Sequence, residues 1–576
     1  MAFDGFITKA IVSELKNTIV GAKVNKVYEP TKNEVILSLY NCGNNYNLEL
    51  CANPESCRIC LTSYSRPNPQ NAYNFCMLLR KYLIGGKIVS ISSYDLERTV
   101  EIQFECYNEL NDLVIRKLFI EIMSRQSNII LTNERNIIID TLKHFDNNVR
   151  ELLPAHEYIF TPINKMSFLQ LNNFDDFYVL LKNSEEESLI KFFINNFIGF
   201  SKPLIKETLK LLNIKDNEYS TEDLVNLYEY LNFIISNLGT SNLYCRKISE
   251  KDFTLFYDNR TQNTNNEFSL TSITHINFFV DDFYYQKEQA TLFTNSRNGL
   301  LKVVSDSLKK VYKKLENINS KLKECEKMDT YRLYGELLTA NLYKYINTPN
   351  LSEITVENYY NNNTPITISL DSSINLQKNI EKYFKKYNKL KNALSIVSEQ
   401  KKEAEKELDY IETIVFNLSN AKSMNDINGV YEEISENVVT KKIISKKEKN
   451  RLSKKQTSDK IELETTQIDG FTIYIGKNNI QNDYISLKFS NPNDIWFHTQ
   501  KIHGSHVLLR NQENLEIDEI PENVLFNCAK LAKENSKAAN SVNVSVDYCL
   551  AKFVKKASGA KPGMVIYNNF KTIIVK

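Results

Sequence analysis

No apolar run in this sequence approaches the roughly 18–20 residues that a membrane-crossing helix needs, so a transmembrane function is not expected. The opening stretch Met1-Ala2-Phe3-Asp4-Gly5-Phe6 carries an acid and lacks the basic-then-apolar order of an export signal. Bulk charge is also missing. Across 576 residues the formal net charge is only +2, so a polyanionic partner would have to be held by local patches. There is no Gly-x-Ser-x-Gly elbow, no Walker or dinucleotide loop and no Glu-His helical pairing, which leaves no recognisable site for nucleotide hydrolysis. The ten cysteines are scattered, several of them inside apolar patterns (Cys76, Cys106, Cys325). They read as reduced cytosolic thiols used as small hydrophobes. Cys57-Arg58-Ile59-Cys60, with Cys51 nearby, hints at zinc. No second cysteine pair follows at finger-like spacing, and a strand leading into a loop is the stronger reading.

What is present belongs to a folded multidomain α+β chain. Hydrophobic residues make up 42% and charged residues 25%, and the length calls for about three or four domains. Residues 6–19 show helix spacing through Phe6, Ile7, Ala10, Ile11 and Leu15. Residues 34–40 and 114–120 read as strands, and Asn133-Glu134-Arg135-Asn136 as a turn between two more. This first domain, 1–170, is α+β. Residues 171–285 turn helical, with Ile198-Gly199-Phe200-Ser201 between two helices and β-like stretches near 253–257 and 269–279. The glycine hairpin resembles a helix-hairpin-helix element, in which hairpin amides meet a nucleic-acid phosphate. Ser201 replaces the usual second glycine, and a simple αα-corner fits as well.

The clearest periodicity lies in 286–435. Leu301, Val304, Leu308, Val311, Leu315, Ile318, Leu322 and Cys325 recur three and four apart. Ile380, Tyr383, Tyr387, Leu390, Leu394, Val397, Lys401, Ala404, Leu408, Ile411, Val415 and Leu418 repeat the pattern. Two such seams predict an antiparallel coiled-coil arm, its tip or middle module formed by 347–373 with a strand at 366–370. Residues 436–460 form a basic linker, in which Lys441, Lys442, Lys446, Lys447, Lys449, Arg451, Lys454, Lys455 and Lys460 face only Glu448 and Asp459. The last domain, 461–576, is again α+β, with a helix near 524–537.

His498, His503 and His506 lie close together beside Asp494, an arrangement that invites a metal. Strand alternation would separate them, and metal chemistry is the weaker reading. The acid-free tail from Ala551 onward, with Lys552, Lys555, Lys556, Lys561, Lys571 and Lys576, predicts an RNA-gripping face. Trp496, His498 and His506 would supply stacking surfaces. A plain solvated lysine face is the competing reading.

The motifs Met1-Ala2-Phe3-Asp4-Gly5, Pro30-Thr31-Lys32-Asn33-Glu34 and Tyr331-Arg332-Leu333-Tyr334-Gly335-Glu336-Leu337-Leu338-Thr339-Ala340-Asn341 run in order along the chain. Lys385-Lys386-Tyr387-Asn388-Lys389, Asp469-Gly470-Phe471, Gly476-Lys477-Asn478-Asn479, Asp494-Ile495-Trp496-Phe497-His498 and Gly504-Ser505-His506 continue the series to the last domain. Together they resemble the RqcH/NFACT (fibronectin-binding protein A-like) family of ribosome quality-control factors. The resemblance implies an NFACT-N domain akin to a DNA-glycosylase N-terminal fold, a helix-hairpin-helix segment, a coiled-coil arm and an NFACT-R RNA-binding domain. It does not carry glycosylase activity, which uses an N-terminal proline amine and an adjacent Glu. It implies a cytoplasmic factor bound to obstructed large ribosomal subunits, with rRNA, ribosomal proteins, tRNA and the stalled nascent chain as partners. Such a factor recruits alanyl-tRNA for mRNA-independent C-terminal tailing. It needs no cofactor and no catalytic residue, because the ribosome's RNA forms the bond. The tRNA-facing residues implied are Glu97, Arg98, Glu121, Ile122, Met123 and Arg125, with Glu97 standing where Asp is usual. The RNA-facing candidates read from the glycine hairpin, the aromatics and the basic tail are Gly199, Ser201, Trp496, His498, His506, Lys552, Lys555, Lys556 and Lys561. Read from the residues alone, Glu97-Arg98 is an ion pair worth under ~1 kcal/mol. The alternative function is a fibronectin-binding adhesin, exposed on the cell surface through non-standard secretion.

Overall fold

The computed structural model describes residues 3–146, 150–161, 164–239, 243–256, 276–345, 351–436 and 461–576. The chain divides into two compact units, Met1–Thr291 and Leu292–Lys576. The predicted basic linker lies, from residue 437 to 460, outside the described residues.

In the first unit, α1 (Gly5–Ile19) begins at Asp4, whose carboxylate accepts from the Ile7 amide. Its apolar stripe of Phe6, Ile7, Ala10, Ile11, Leu15 and Ile19 is fully buried. The elements that follow are β1 (Lys23–Thr31), β2 (Glu34–Asn41), β3 (Asn44–Cys51), β4 (Arg58–Leu61), α2 (Asn74–Leu83), β5 (Lys87–Ser93), β6 (Thr99–Tyr107), β7 (Leu113–Glu121), β8 (Asn128–Asn133) and β9 (Ile138–Thr141). They form a nine-stranded sheet in the order β4-β3-β2-β1-β5-β6-β7-β8-β9. Its two halves meet through Lys23 of β1 opposite Lys87 of β5. The predicted turn at 133–136 joins β8 to β9, with Asn136 at φ +60°.

Four helices follow: α3 (Phe174–Lys182), α4 (Leu189–Asn196), α5 (Lys202–Leu211) and α6 (Thr221–Ser236). Phe168, Phe177, Phe192, Phe193 and Phe197 are buried among them. Phe200 joins this aromatic group to Phe6 of α1, ring centroids 4.9 Å apart, so one apolar core runs from the sheet into the helices. Offset and edge-on aromatic packing of this kind adds to simple area burial. The predicted strand at 269–279 is not one where it is described, because residues 276–279 open the 50-residue helix α7 (Ile276–Cys325). Glu14 accepts from the Ile276 and Asn277 amides and satisfies the donors exposed at that helix start.

In the second unit, the remainder of α7 pairs with the 45-residue helix Leu376–Asn420. Tyr312 bonds Glu412 at 2.8 Å and Lys314 meets Glu407 at 3.0 Å, so the two helices run antiparallel as expected. Val304, Val311, Leu315 and Ile318 are buried against Val397, Ala404, Ile411 and Leu418. The seam also takes in Leu300 and Ile414, neighbours of the predicted Leu301 and Val415, because a straight helix drifts against a strict heptad. Between the arms sits a small module: the helix Met328–Ala340 packs on a hairpin of Glu353–Asn358 and Thr364–Ser369. The first strand of that hairpin was not expected. Gly335 lets the Phe384 ring pack close, since a Cβ on it would come within 2.9 Å of the ring tip and push it aside.

The last region has a six-stranded sheet with the helix Glu522–Glu534 on one face. Asn479 donates to Glu433 at 2.8 Å and to Thr413 at 3.0 Å, and Lys537 meets Glu412 at 3.1 Å. These bonds seat the region on the base of the coiled coil.

Candidate nucleic-acid interface

The turn from β5 to β6 sets Glu97 and Arg98. Asp95 has φ +46°, the Glu97 amide donates to Tyr94 O at 2.8 Å, and Arg98 O accepts from the Ile122 amide at 2.9 Å. Leu96 is driven into the core at 1% exposure, so Glu97 and Arg98, next in line, emerge half-buried at the surface. Two glycines let other segments close on this turn. A Cβ on Gly5 would lie 1.8 Å from Leu96 O, and one on Gly199 would lie 2.4 Å from it. The Gly5 amide donates to Gly199 O at 3.0 Å. Asp4 and Ser201, the N-caps of α1 and α5, bond each other at 2.6 Å. Burial lifts the Asp4 carboxyl to about 6, with Ser201, the Ile7 amide and the charge of Arg98 pulling the other way.

The result is a groove of about 630 Å³ lined by Glu97, Arg98, Met123, Gly199 and Ser201, joined by Lys165, Asn195 and Lys202. Residues about a hundred positions apart thus face one space. Lys202 is exposed, and Lys165 is held by its bond to Ile194 O at 2.6 Å. Arg98, Lys165 and Lys202 against half-buried Glu97 and buried Asp4 leave the groove positive by one charge, which suits a phosphate backbone. Glu97 is held above the usual carboxylate range by burial and by Asp95. Ser201 itself is buried, its hydroxyl committed to Asp4 and the Leu204 amide. It caps the helix and is not a phosphate ligand in this geometry. Beyond Thr161, a smaller cleft of about 110 Å³ holds exposed Arg125 with Lys143 and Arg150. Lys165, Lys202 and Asn195 were missed from sequence. Only Lys202, adjoining the glycine hairpin, carried a local signal.

Two expected contact residues are structural. Glu121 is 1% exposed and Ile122 0%. Glu121 accepts from both Arg150 amino groups, at 2.7 and 2.6 Å, and from the Tyr158 hydroxyl at 2.9 Å. They form the floor beneath the site, because β7 is buried where it ends.

The predicted stacking surface of the last region is likewise a core. Ile495 and Phe497 point into one apolar cluster and Trp496 into another, since both faces of the sheet are covered. Trp496 is 0% exposed and donates to Ser486 Oγ at 2.9 Å. His506, at 2% exposure, meets the same hydroxyl at 2.7 Å. His498 is only half-buried, yet its desolvated ring is brought down to about 4, despite Asp547 nearby. His503 turns away to Asp409 and Glu412, at 3.3 and 3.5 Å. His498 and His506 pack edge-on, ring centroids 5.1 Å apart, while His503 is held away from them, so the three do not converge on one centre.

The lysines divide as well. Lys552 and Lys555 are exposed, Lys556 pairs with Asp483, and Lys561 lies 4.6 Å over the Tyr410 ring with its ammonium pushed down by burial. Replacing Lys552 and Lys555 with Ala should flatten the slope of log affinity for RNA against log salt by roughly two units, at about 0.7–0.9 per phosphate contact. Adding Lys556→Ala and Lys561→Ala should change it little further. Fluorescence anisotropy of labelled RNA across a salt series measures this, and an unchanged slope in the first pair would show that this face does not meet phosphate.

Residues 4–457 match the family of NFACT N-terminal and middle domains, and residues 463–569 match the NFACT protein RNA binding domain. The chain is 33% identical over 592 residues to "Rqc2 homolog RqcH" of Bacillus subtilis, covering 100% of this chain and 98% of that protein. It is 29% identical over 590 residues to the protein of the same name from Streptococcus pneumoniae, with the same coverage. Coiled-coil domain-containing protein 25 of Mus musculus is 36% identical over 104 residues, 18% of this chain and 50% of that one. Among solved structures, the N-terminal part of a fibronectin/fibrinogen-binding protein from Streptococcus suis matches with a TM-score of 0.39 and 25% identity, over 50% of this chain and 99% of that one.

Proposed function

The chain belongs to the RqcH/NFACT family, and from that premise we propose that it is a cytoplasmic ribosome quality-control factor which brings tRNA to obstructed large subunits. The observation that carries this reading is the shared groove: Glu97, Arg98 and Met123 open into one space with Gly199, Lys165 and Lys202. Arg98 pairs bidentately with phosphate or a base edge. Glu97 orients Arg98 or accepts from a base amine. Lys165 and Lys202 neutralise the backbone. The antiparallel arm carries its small module to ribosomal protein or RNA, and the last region adds further RNA contact through Lys552 and Lys555. Alanyl-tRNA is the substrate delivered, and the product is a C-terminal tail on the stalled nascent chain. The ribosome's own RNA forms the peptide bond, so the factor acts by positioning and is not an enzyme in its own right.

Sequencing the RNA that copurifies with the tagged full-length protein tests this reading. Enrichment of tRNA, alanine-accepting species above all, together with large-subunit rRNA is the expected result. Recovery of neither would overturn it.

A further inference from the structure

The outer edge of the nine-stranded sheet meets α7 through a face that is polar and almost dry. β3 and β4 run antiparallel with Glu49 opposite Cys60 and Cys51 opposite Arg58. Strand alternation therefore sends these four side chains to one side. α7 offers Asp281, Tyr284 and Glu288, spaced at three and four along one helical stripe.

Arg58, with a side chain 0% exposed, pairs with Glu49 at 2.9 Å and Glu288 at 2.7 Å. Arg66 meets Glu34 at 2.8 Å, Glu288 at 2.9 Å and, at 3.0 Å, the same Glu49 oxygen that Arg58 holds. Glu34, Glu49, Asp281 and Glu288 set four negative charges against the two of Arg58 and Arg66, so −4 + 2 leaves −2. A buried excess of that size needs protons or a cation. Burial accordingly pushes Glu49 up to about 7.

The excess is localised. Glu34 and Glu288 spend their oxygens on the arginines and Thr31. Glu49 Oε2 and Asp281 Oδ1 have no hydrogen-bond partner among the described residues, and their side chains belong to residues 0% and 2% exposed. Ligand atoms of Glu49, Cys60 and Asp281 lie within 4.8 Å of one another.

We propose that Glu49, Cys60 and Asp281 form a binding site for a divalent cation of the zinc class. One sulfur and two carboxylate oxygens suit zinc, whereas magnesium and calcium take oxygen alone. Three protein ligands leave one position of the tetrahedron to water. Burial and the Glu49 charge hold the Cys60 thiol well above its usual range, with Arg58 pulling the other way, so it is the ion that draws its proton off to solvent on binding. The ion clips the edge strand β4 to the first turns of α7, where Ser63 already bonds the other oxygen of Asp281, its amide at 2.9 Å. The cysteine that the sequence pairs with Cys60, Cys57, is not part of the donor set.

The test uses the full chain, purified without a metal-affinity tag, with zinc itself as the probe against a chromophoric competing chelator. One equivalent is expected to bind and to raise the first melting midpoint. Cys60→Ser and Asp281→Asn should each weaken zinc by at least tenfold, since losing even an outer partner of a metal ligand costs 10–100-fold. Cys42→Ser, at an exposed cysteine, should bind as the parent does. Circular dichroism of the metal-free variants checks folding, and Asp281→Asn decides if Cys60→Ser does not fold. A parent that takes up no zinc overturns the proposal and leaves protons or water as the compensation. So does equal binding by parent and folded variants.

Discussion

The double variant Glu97→Ala/Arg98→Ala is expected to lose tRNA recruitment and tailing entirely while keeping its fold and its binding to large subunits. The turn is held by Leu96 in the core and by backbone bonds to Tyr94 and Ile122, all of which alanine leaves in place. What goes is the half-buried acid and the guanidinium at the groove wall. Half-buried surface charges contribute under ~1 kcal/mol to stability, whereas a guanidinium desolvated against phosphate is a charge-assisted, two-pronged contact. One small stability effect should appear and serve as a control. The folded Asp4 titrates near 6 against 3.8 for the free side chain, so its proton favours folding below about pH 3.8 and that contribution is lost as pH rises through 6. Arg98 opposes the upward shift, so removing it should cost a little stability at pH 7 and nothing near pH 4. Unchanged alanine tails on stalled reporter chains in the double variant would refute the assignment of this groove to tRNA.

Glu121→Ala should behave in the opposite way, costing about 3–5 kcal/mol of stability and impairing tRNA binding only through unfolding. It leaves the Arg150 guanidinium, 7% exposed, without its two bonds to carboxylate. The Tyr158 hydroxyl loses its acceptor too. Replacing the three together, Glu121→Leu with Arg150→Met and Tyr158→Phe, should recover most of that loss, because a buried polar cluster exchanged for apolar side chains of similar volume is often close to neutral and no hydroxyl is left unpaired. Urea titration, read at the transition of the Met1–Thr291 unit, measures both. A Glu121→Ala protein that unfolds with the parent's midpoint yet fails to bind tRNA would return Glu121 to the contact surface.

These two variants show where reading the sequence succeeds and where it stops. Residues 97–98 and 121–123 come from the same family resemblance, yet one pair faces the groove and Glu121 and Ile122 lie beneath it. Periodicity was enough for α1, for the strands around 34–40 and 114–120, and for both arms of the coiled coil, because each is a repeat within one element. It also pointed to the antiparallel arrangement, since two seams separated by roughly fifty residues of one chain can pair by folding back.

The sequence by itself determined those elements, their order and the family. Only the tertiary structure decided which polar and aromatic side chains see solvent. Trp496 alternates correctly along its strand, but whether the second face of that sheet is wet depends on segments from 485 to 567 packing over it. Ser201 has the right place for a phosphate hairpin, yet Asp4, almost two hundred residues away, takes its hydroxyl. Lys165 carries no local signal at all and reaches the groove because the chain before α3 is drawn to Ile194. Burial and charge pairing are properties of what arrives from elsewhere in the chain, and a local pattern does not encode the arrival.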